Sequence, residues 1–279
     1  MTNRKTATKM EDLFVTHKNN SNEFTSYRFI KTQVPNPNWR PHTKSKDAGG
    51  EAINITDTSD KEKVSLEPSS SDYKFITSAI APRPIALIST LSPSTNAQQN
   101  RIANVAPFSF FNVMTKDPVT FSFGLSPVKN GYKDTANNLI STKQCVINLV
   151  SEDIVQQANF TSIEVPGDVD EFELAGLRKG VSEKIDVPYV KDCVVSIECE
   201  LLHTIEVPLE YNTVDGKDKE PNLIFIVKAV KYHVDKDAID LSNRAVDMEL
   251  LKPVSRLIGI TYGRTTKSYD ICKPPADMI

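Results

Sequence analysis

"NVAPFSFFNVMTKDPVTFSFG", Asn104 to Gly124, decides how the rest of the chain is read. Phe108, Phe110, Phe111, Phe121 and Phe123 lie in two apolar runs separated by Lys116, Asp117 and Pro118, the pattern of two strands of a hairpin. Side chains alternate along a strand, so Phe108, Phe110 and Asn112 are expected on one face and Ser109 and Phe111 on the other. Pro107 lacks an N–H, which puts the first run at a sheet edge or bulge, where a ligand can replace the missing neighbour. Ser109 and Ser122 among so many rings allow two readings. Either the hydroxyls face water on a plain barrel, or the surface receives something flat, apolar and polar-edged.

Short β-type runs continue on both sides. "PIALIST" (Pro84–Thr90), "CVINLV" (Cys145–Val150), "VVSIECELLHTIEV" (Val194–Val207) and "NLIFIVKAVKYHV" (Asn222–Val234) are apolar or alternating and bounded by turn residues. Helical patterns are fewer. They fall at Asp134–Thr142, at Ser151–Thr161 with a serine cap, at Asp168–Leu177 and at Ala245–Gly259. Strands with few helices and no βαβ rhythm predict a mainly β, antiparallel barrel with a few peripheral helices.

Residues 1–70 differ from the rest. They are polar, and "VPNPNWRPH" places Trp39 between Pro35, Pro37 and Pro41, which favours an extended path. This part is read as an N-terminal arm, docked through Trp39 and flexible from about Thr43 to Ser71, or as a loose tail throughout. Residues 71–279 form the domain. The 279 residues are 39% hydrophobic and 25% charged with net charge −3, and no basic stripe invites nucleic acid. No apolar run is long enough to span a membrane, and no apolar core follows the early positive charges as in a secretion signal. Glu11 and Asp12 argue against a mitochondrial presequence, so a cytoplasmic location is expected, with a mitochondrial one as the alternative. Cys145, Cys193, Cys199 and Cys272 are scattered and read as reduced thiols. His17, His42, His203 and His233 stand far apart, and no metal site is expected.

Neither a glycine-rich dinucleotide fingerprint nor a P-loop occurs, so a bound phosphate would need a helix start and side chains. "SPVKNGYKDTANNL" offers both. Gly131 turns the chain, Lys133 supplies a cation, and Asp134 and Thr135 open a helix whose free N–H groups point outward. A capped helix with a solvated lysine is the other reading of the same residues. A phosphate beside an apolar, hydroxyl-edged slot would suit a mononucleotide with a fused ring system.

Six motifs in order, "APRPIALIST", "NVAPFSFFN", "KDPVTFSFG", "KDT", "INLVSED" and "VDEFELAGL", resemble the flavin reductase-like family. The resemblance covers about Tyr73 to Gly259, and the Pro-Asn-Pro-Asn-Trp arm looks like the fungal branch. It implies an FMN-binding split β-barrel, usually a homodimer. Carried over residue by residue, Ser89 and Thr90 match the phosphate–ribityl side, and Asn104, Ala106, Pro107, Ser109 and Phe110 the strand lining the isoalloxazine. Lys133, Asp134 and Thr135 match the phosphate turn, with Arg83 and Tyr262 near the pocket. The implied activity passes hydride or electrons from NADH or NADPH through FMN to flavin or another small acceptor, with no catalytic side chain of the protein required. A non-enzymatic FMN carrier or flavin store is the alternative, and a barrel that has lost flavin a third. The family's glycine between the first two strands is replaced by "SPSTNAQQNRIA", and the charged turn "YNTVDGKDKEPN" is assigned no role.

Overall fold

The computed structural model describes residues 28–35, 37, 62–94, 101–129, 131–210 and 220–273. Seven strands carry the architecture: β1 (Ala86–Leu91), β2 (Ala103–Phe108), β3 (Phe111–Lys116), β4 (Val119–Leu125), β5 (Gln144–Leu149), β6 (Val195–Val207) and β7 (Asn222–Val234). They form one antiparallel sheet in the order β2-β1-β5-β6-β7-β4-β3. β2 and β3 stand at opposite ends of that order, yet only Ser109 and Phe110 separate them in sequence. The sheet must therefore curl until its ends meet at this corner, which gives a barrel with one open seam. The Gly124 N–H donates to the Phe110 carbonyl at 2.9 Å and fastens the corner to β4.

The corner corrects one sequence expectation. The first of the two apolar runs, read as one strand, is two, and the turn between them resets the alternation. Phe108 and Phe111 both enter the barrel, while Phe110 is 47% exposed. Inside, Phe123 packs against Phe108 at 5.4 Å and Phe225 at 5.3 Å between ring centroids, and Phe111 stacks on Phe121. Ala136 and Leu139 of α2 (Asp134–Thr142) pack into the same cluster. Pro107 stands on the terminal strand β2, as its missing N–H requires.

Leu87 and Val105 project from the outer face of the sheet into a second cluster with Ile154, Ala158 and Phe172. The last two belong to α3 (Val155–Phe160) and α4 (Glu171–Ala175). The Asp170 carboxylate caps α4 by accepting from the Phe172 N–H at 3.0 Å, and Gly176, at φ 65°, ends it. α3 starts four residues later than its serine suggested, because Glu152–Ile154 form a turn and the Ser151 hydroxyl is buried without a hydrogen-bond partner. The helix expected over 245–259 shrinks to α5 (Met248–Leu251). Pro253 cannot continue it, and Val254–Arg256 joins Arg83–Pro84 and Tyr262–Arg264 as a small sheet. α1 (Tyr73–Ala79) was not anticipated, since its aromatic and β-branched residues carry little helix signal.

Ile30–Lys31 of the arm pairs in parallel with Lys267–Ser268. Trp39, most of the flexible stretch and the centres of both unusual loops lie outside the described residues. Cys145, Cys193 and Cys199 are buried free thiols and Cys272 is exposed. Among the described residues no helix is long and apolar enough to cross a membrane, and no cluster could hold a metal ion.

Candidate functional site

Asn104 lies opposite Thr90 in the β1–β2 register, and that pairing starts a buried polar network. The hydroxyls of Thr90 and Thr135 both donate to Asn104 Oδ1, at 3.1 and 2.9 Å. Asn104 Nδ2 donates to Glu171 Oε1 at 3.1 Å, and Asn138 Nδ2 donates to Thr90 Oγ1 at 3.2 Å. One amide thus fastens two strands to the starts of α2 and α4. Such a network rigidifies its surroundings when every member is satisfied.

Above the network opens a cleft of about 400 Å³. Asn104, Ala106 and Pro107 form one wall, Tyr132–Thr135 a second, Thr161–Val165 a third, and Glu171 the base. Gly131, at φ 110°, turns the chain into α2. No side chain caps that helix, and Asp134 and Thr135 occupy positions whose N–H groups have no intrahelical partner. The positive end of the helix therefore faces the cleft beside exposed Lys133. Gly167 closes against Asp134, where a Cβ would meet Oδ1 at 3.1 Å. Burial raises the Glu171 pKa above the usual carboxylate value; hydrogen bonds from Asn104 and main-chain N–H groups oppose this, and Asp134 adds to it.

Six sequence-predicted residues meet here: Asn104, Ala106, Pro107, Lys133, Asp134 and Thr135. Thr90 lies beneath, fully buried, and reaches the cleft only through Asn104. Ser89 points to the other side of the sheet, where its hydroxyl donates to the Pro188 carbonyl at 2.7 Å. Ser109 and Phe110 form the barrel corner and do not line the cleft. Arg83 and Tyr262 also lie elsewhere. The Arg83 guanidinium donates to the carbonyls of Thr77, Ile80 and Leu257 at 2.6–2.7 Å. Tyr262 carries the Arg256 guanidinium 4.4 Å from its ring centroid and donates to Asn159 Oδ1 at 2.8 Å. Glu171, Tyr132 and the Thr161–Val165 wall escaped the sequence reading. "VDEFELAGL" did show an acid in a first helical turn, but such acids ordinarily face water.

Residues 78–246, more than half of the chain, match the flavin reductase like domain. The chain belongs to the flavin reductase-like family. An uncharacterized protein of Halalkalibacterium halodurans is 32% identical over 205 residues, which is 73% of this chain and 91% of that one. Nitrilotriacetate monooxygenase component B of Bacillus cereus superposes with a TM-score of 0.67 at 28% identity, over 76% of this chain and all of that one. The 2-nitrobenzoate 2-nitroreductase of Pseudomonas fluorescens gives 0.64 at 27%, over 77% and 98%. The fold is the split barrel of the flavin reductase-like family, and a flavin-related redox role comes with membership.

Proposed function

We propose that the cleft binds FMN and that the protein passes hydride or electrons from NADH or NADPH through it to a further small acceptor. One observation carries this reading: Lys133, the uncapped start of α2 and the apolar β2 wall converge on a single cleft. Its volume falls within the usual range for small-molecule sites. Lys133 and the N–H groups of Asp134 and Thr135 hold the phosphate. Ala106 and Pro107 cover the ring, and Asn104 keeps both groups in register. The bound flavin supplies the hydride chemistry, and the protein supplies binding, orientation and exclusion of water. The fungal-branch assignment rests on the arm around Trp39 alone, and the buried free thiols favour a reducing compartment, the cytoplasm.

Mass spectrometry of cofactor released from the purified protein is expected to show FMN, because the cleft has a single uncapped helix start, beside Lys133, to receive a phosphate. FAD as the dominant species overturns this. Bleaching of the flavin spectrum by NADPH or NADH supports the oxidoreductase; bound FMN that neither reduces points to the non-enzymatic carrier. Lys133→Ala is expected to weaken FMN about tenfold or more, from loss of one charge-assisted hydrogen bond. It should barely move the unfolding midpoint, since an exposed lysine contributes little to stability. Unfolding instead would make Lys133 structural.

A homodimer accompanies this reading. Phe110, Val113 and Met114 are all exposed at the barrel corner and along β3, an apolar surface suited to a second copy. Light scattering should give twice the chain mass at micromolar concentration. A yellow monomer rules the dimer out.

A further inference from the structure

Glu171 sits at the base of the cleft with only 5% of its surface exposed. Its oxygens accept from Asn104 Nδ2 at 3.1 Å and the Val105 N–H at 3.4 Å, and no described cation pairs with it. The charges around it are unfavourable. Asp134 of α2 acts on it directly, and Glu164, Lys129, Lys133 and the Tyr132 phenol line the same cleft, so three carboxylates share it with two ammonium groups. On its own helix, Asp170 is engaged by Lys179, and Glu173 is exposed. A phosphate monoester brings a further charge of about −1.5 to −2 at neutral pH. Placed at the start of α2, that charge disfavours an ionised carboxylate nearby.

We propose that Glu171 is the cleft's proton acceptor: a phosphate-bearing flavin binds together with one proton, which goes onto the Glu171 carboxylate. The atoms balance simply. An ionised carboxylate and a solvent proton become a neutral carboxyl, which keeps the Asn104 bond on Oε1 and carries O–H on Oε2, giving up there only the long 3.4 Å bond from the Val105 N–H. Burial, which already favours the neutral form, works in the same direction. The inference rests on the cleft being the flavin phosphate site. It adds that Glu171 sets how the site distinguishes FMN from riboflavin as pH changes.

Linkage fixes the sign. A group with a higher pKa in the complex than in the free protein makes binding stronger at low pH. FMN affinity is lost as pH rises between the two values, by at most about tenfold per pH unit. Riboflavin has no phosphate and should show no such slope. The FMN phosphate itself titrates near about pH 6, and Glu171→Gln retains that contribution while losing the other.

Fluorescence titrations with FMN and with riboflavin, from about pH 5.5 to about pH 8.5, compare the wild type with Glu171→Gln. The wild type should show a steeper fall in FMN affinity than the variant. At the alkaline end the variant should bind FMN about tenfold more tightly than the wild type, with riboflavin flat in both. Should the variant fold poorly, the wild type alone suffices. The FMN-bound minus free infrared difference spectrum should gain the C=O band of a protonated carboxyl, and riboflavin should not produce it. Equal FMN slopes, or FMN binding without the new band, overturn the inference and leave the FMN site standing. No FMN binding by the wild type overturns both.

Discussion

Asn104→Ala is expected to lower stability by about 2–4 kcal/mol and to abolish tight flavin binding, the largest functional loss from any single change at the cleft. Asn104 Oδ1 is the common acceptor of Thr90 and Thr135, and Nδ2 is a donor to Glu171. Alanine strands the buried Thr135 hydroxyl, leaves the Thr90 hydroxyl with only the bond it accepts from Asn138, and removes a bond from a buried carboxylate. Each stranded group costs about 1–3 kcal/mol, but the total falls below their sum because water can enter from the cleft. Thr135 belongs to the first turn of α2, so releasing it also loosens the N–H groups offered to the phosphate. Urea unfolding should show a lower midpoint with an unchanged slope. A variant within about 0.5 kcal/mol of wild type that still binds flavin would mean that the amide is not the fastening.

Glu198→Ala should cost still more stability, about 3–5 kcal/mol, with flavin affinity affected only through folding. Glu198 is completely buried on β6. Its Oε1 accepts from the Glu183 N–H at 2.8 Å and from His233 Nε2 at 2.6 Å, and its Oε2 from the N–H groups of Lys184 and Ile185 at 2.7 and 3.2 Å. His233 stacks on Tyr189, so one carboxylate holds a loop, an imidazole and an aromatic pair together. Burial alone would raise the Glu198 pKa, but the N–H donors and His233 together hold it below the ordinary value. The sign follows. A depressed carboxyl stabilises fully above the unfolded value near about 4.3, and that stability is lost as pH falls through the lower folded value. Acid unfolding should therefore be displaced in the wild type relative to Glu198→Gln, which cannot ionise and keeps the shape. Coincident acid profiles would sink the argument.

Much of the barrel was legible because strand alternation and turn chemistry are local. β7 appears in the sequence with its structural bounds, as does α2 with its opening lysine, aspartate and threonine. The corner at Ser109–Phe110 was not legible, because nothing in "PFSFFN" marks a turn. The bend is imposed by the pairing of β2 with β1 and β3 with β4. Side-chain destinations failed for a similar reason. Ser89 and Thr90 are neighbours in sequence and face opposite sides of one strand. Arg83 is absorbed by carbonyls from α1 and from Leu257, 174 positions away. Glu198 and His233 lie 35 positions apart on paired strands, and no spacing rule connects them.

The parallel pairing of Ile30–Lys31 with Lys267–Ser268 has a consequence for how the protein is made. Thr32 and Ser268 are 236 positions apart, and their 2.7 Å bond cannot form on the ribosome until nearly all of this sequence has emerged. Strands β1–β7, by contrast, are complete once Val234 is out. Synthesis therefore exposes a finished barrel before its amino-terminal tether can fasten, and a stop at Tyr262 would leave that tether without its landing strip while sparing the barrel strands.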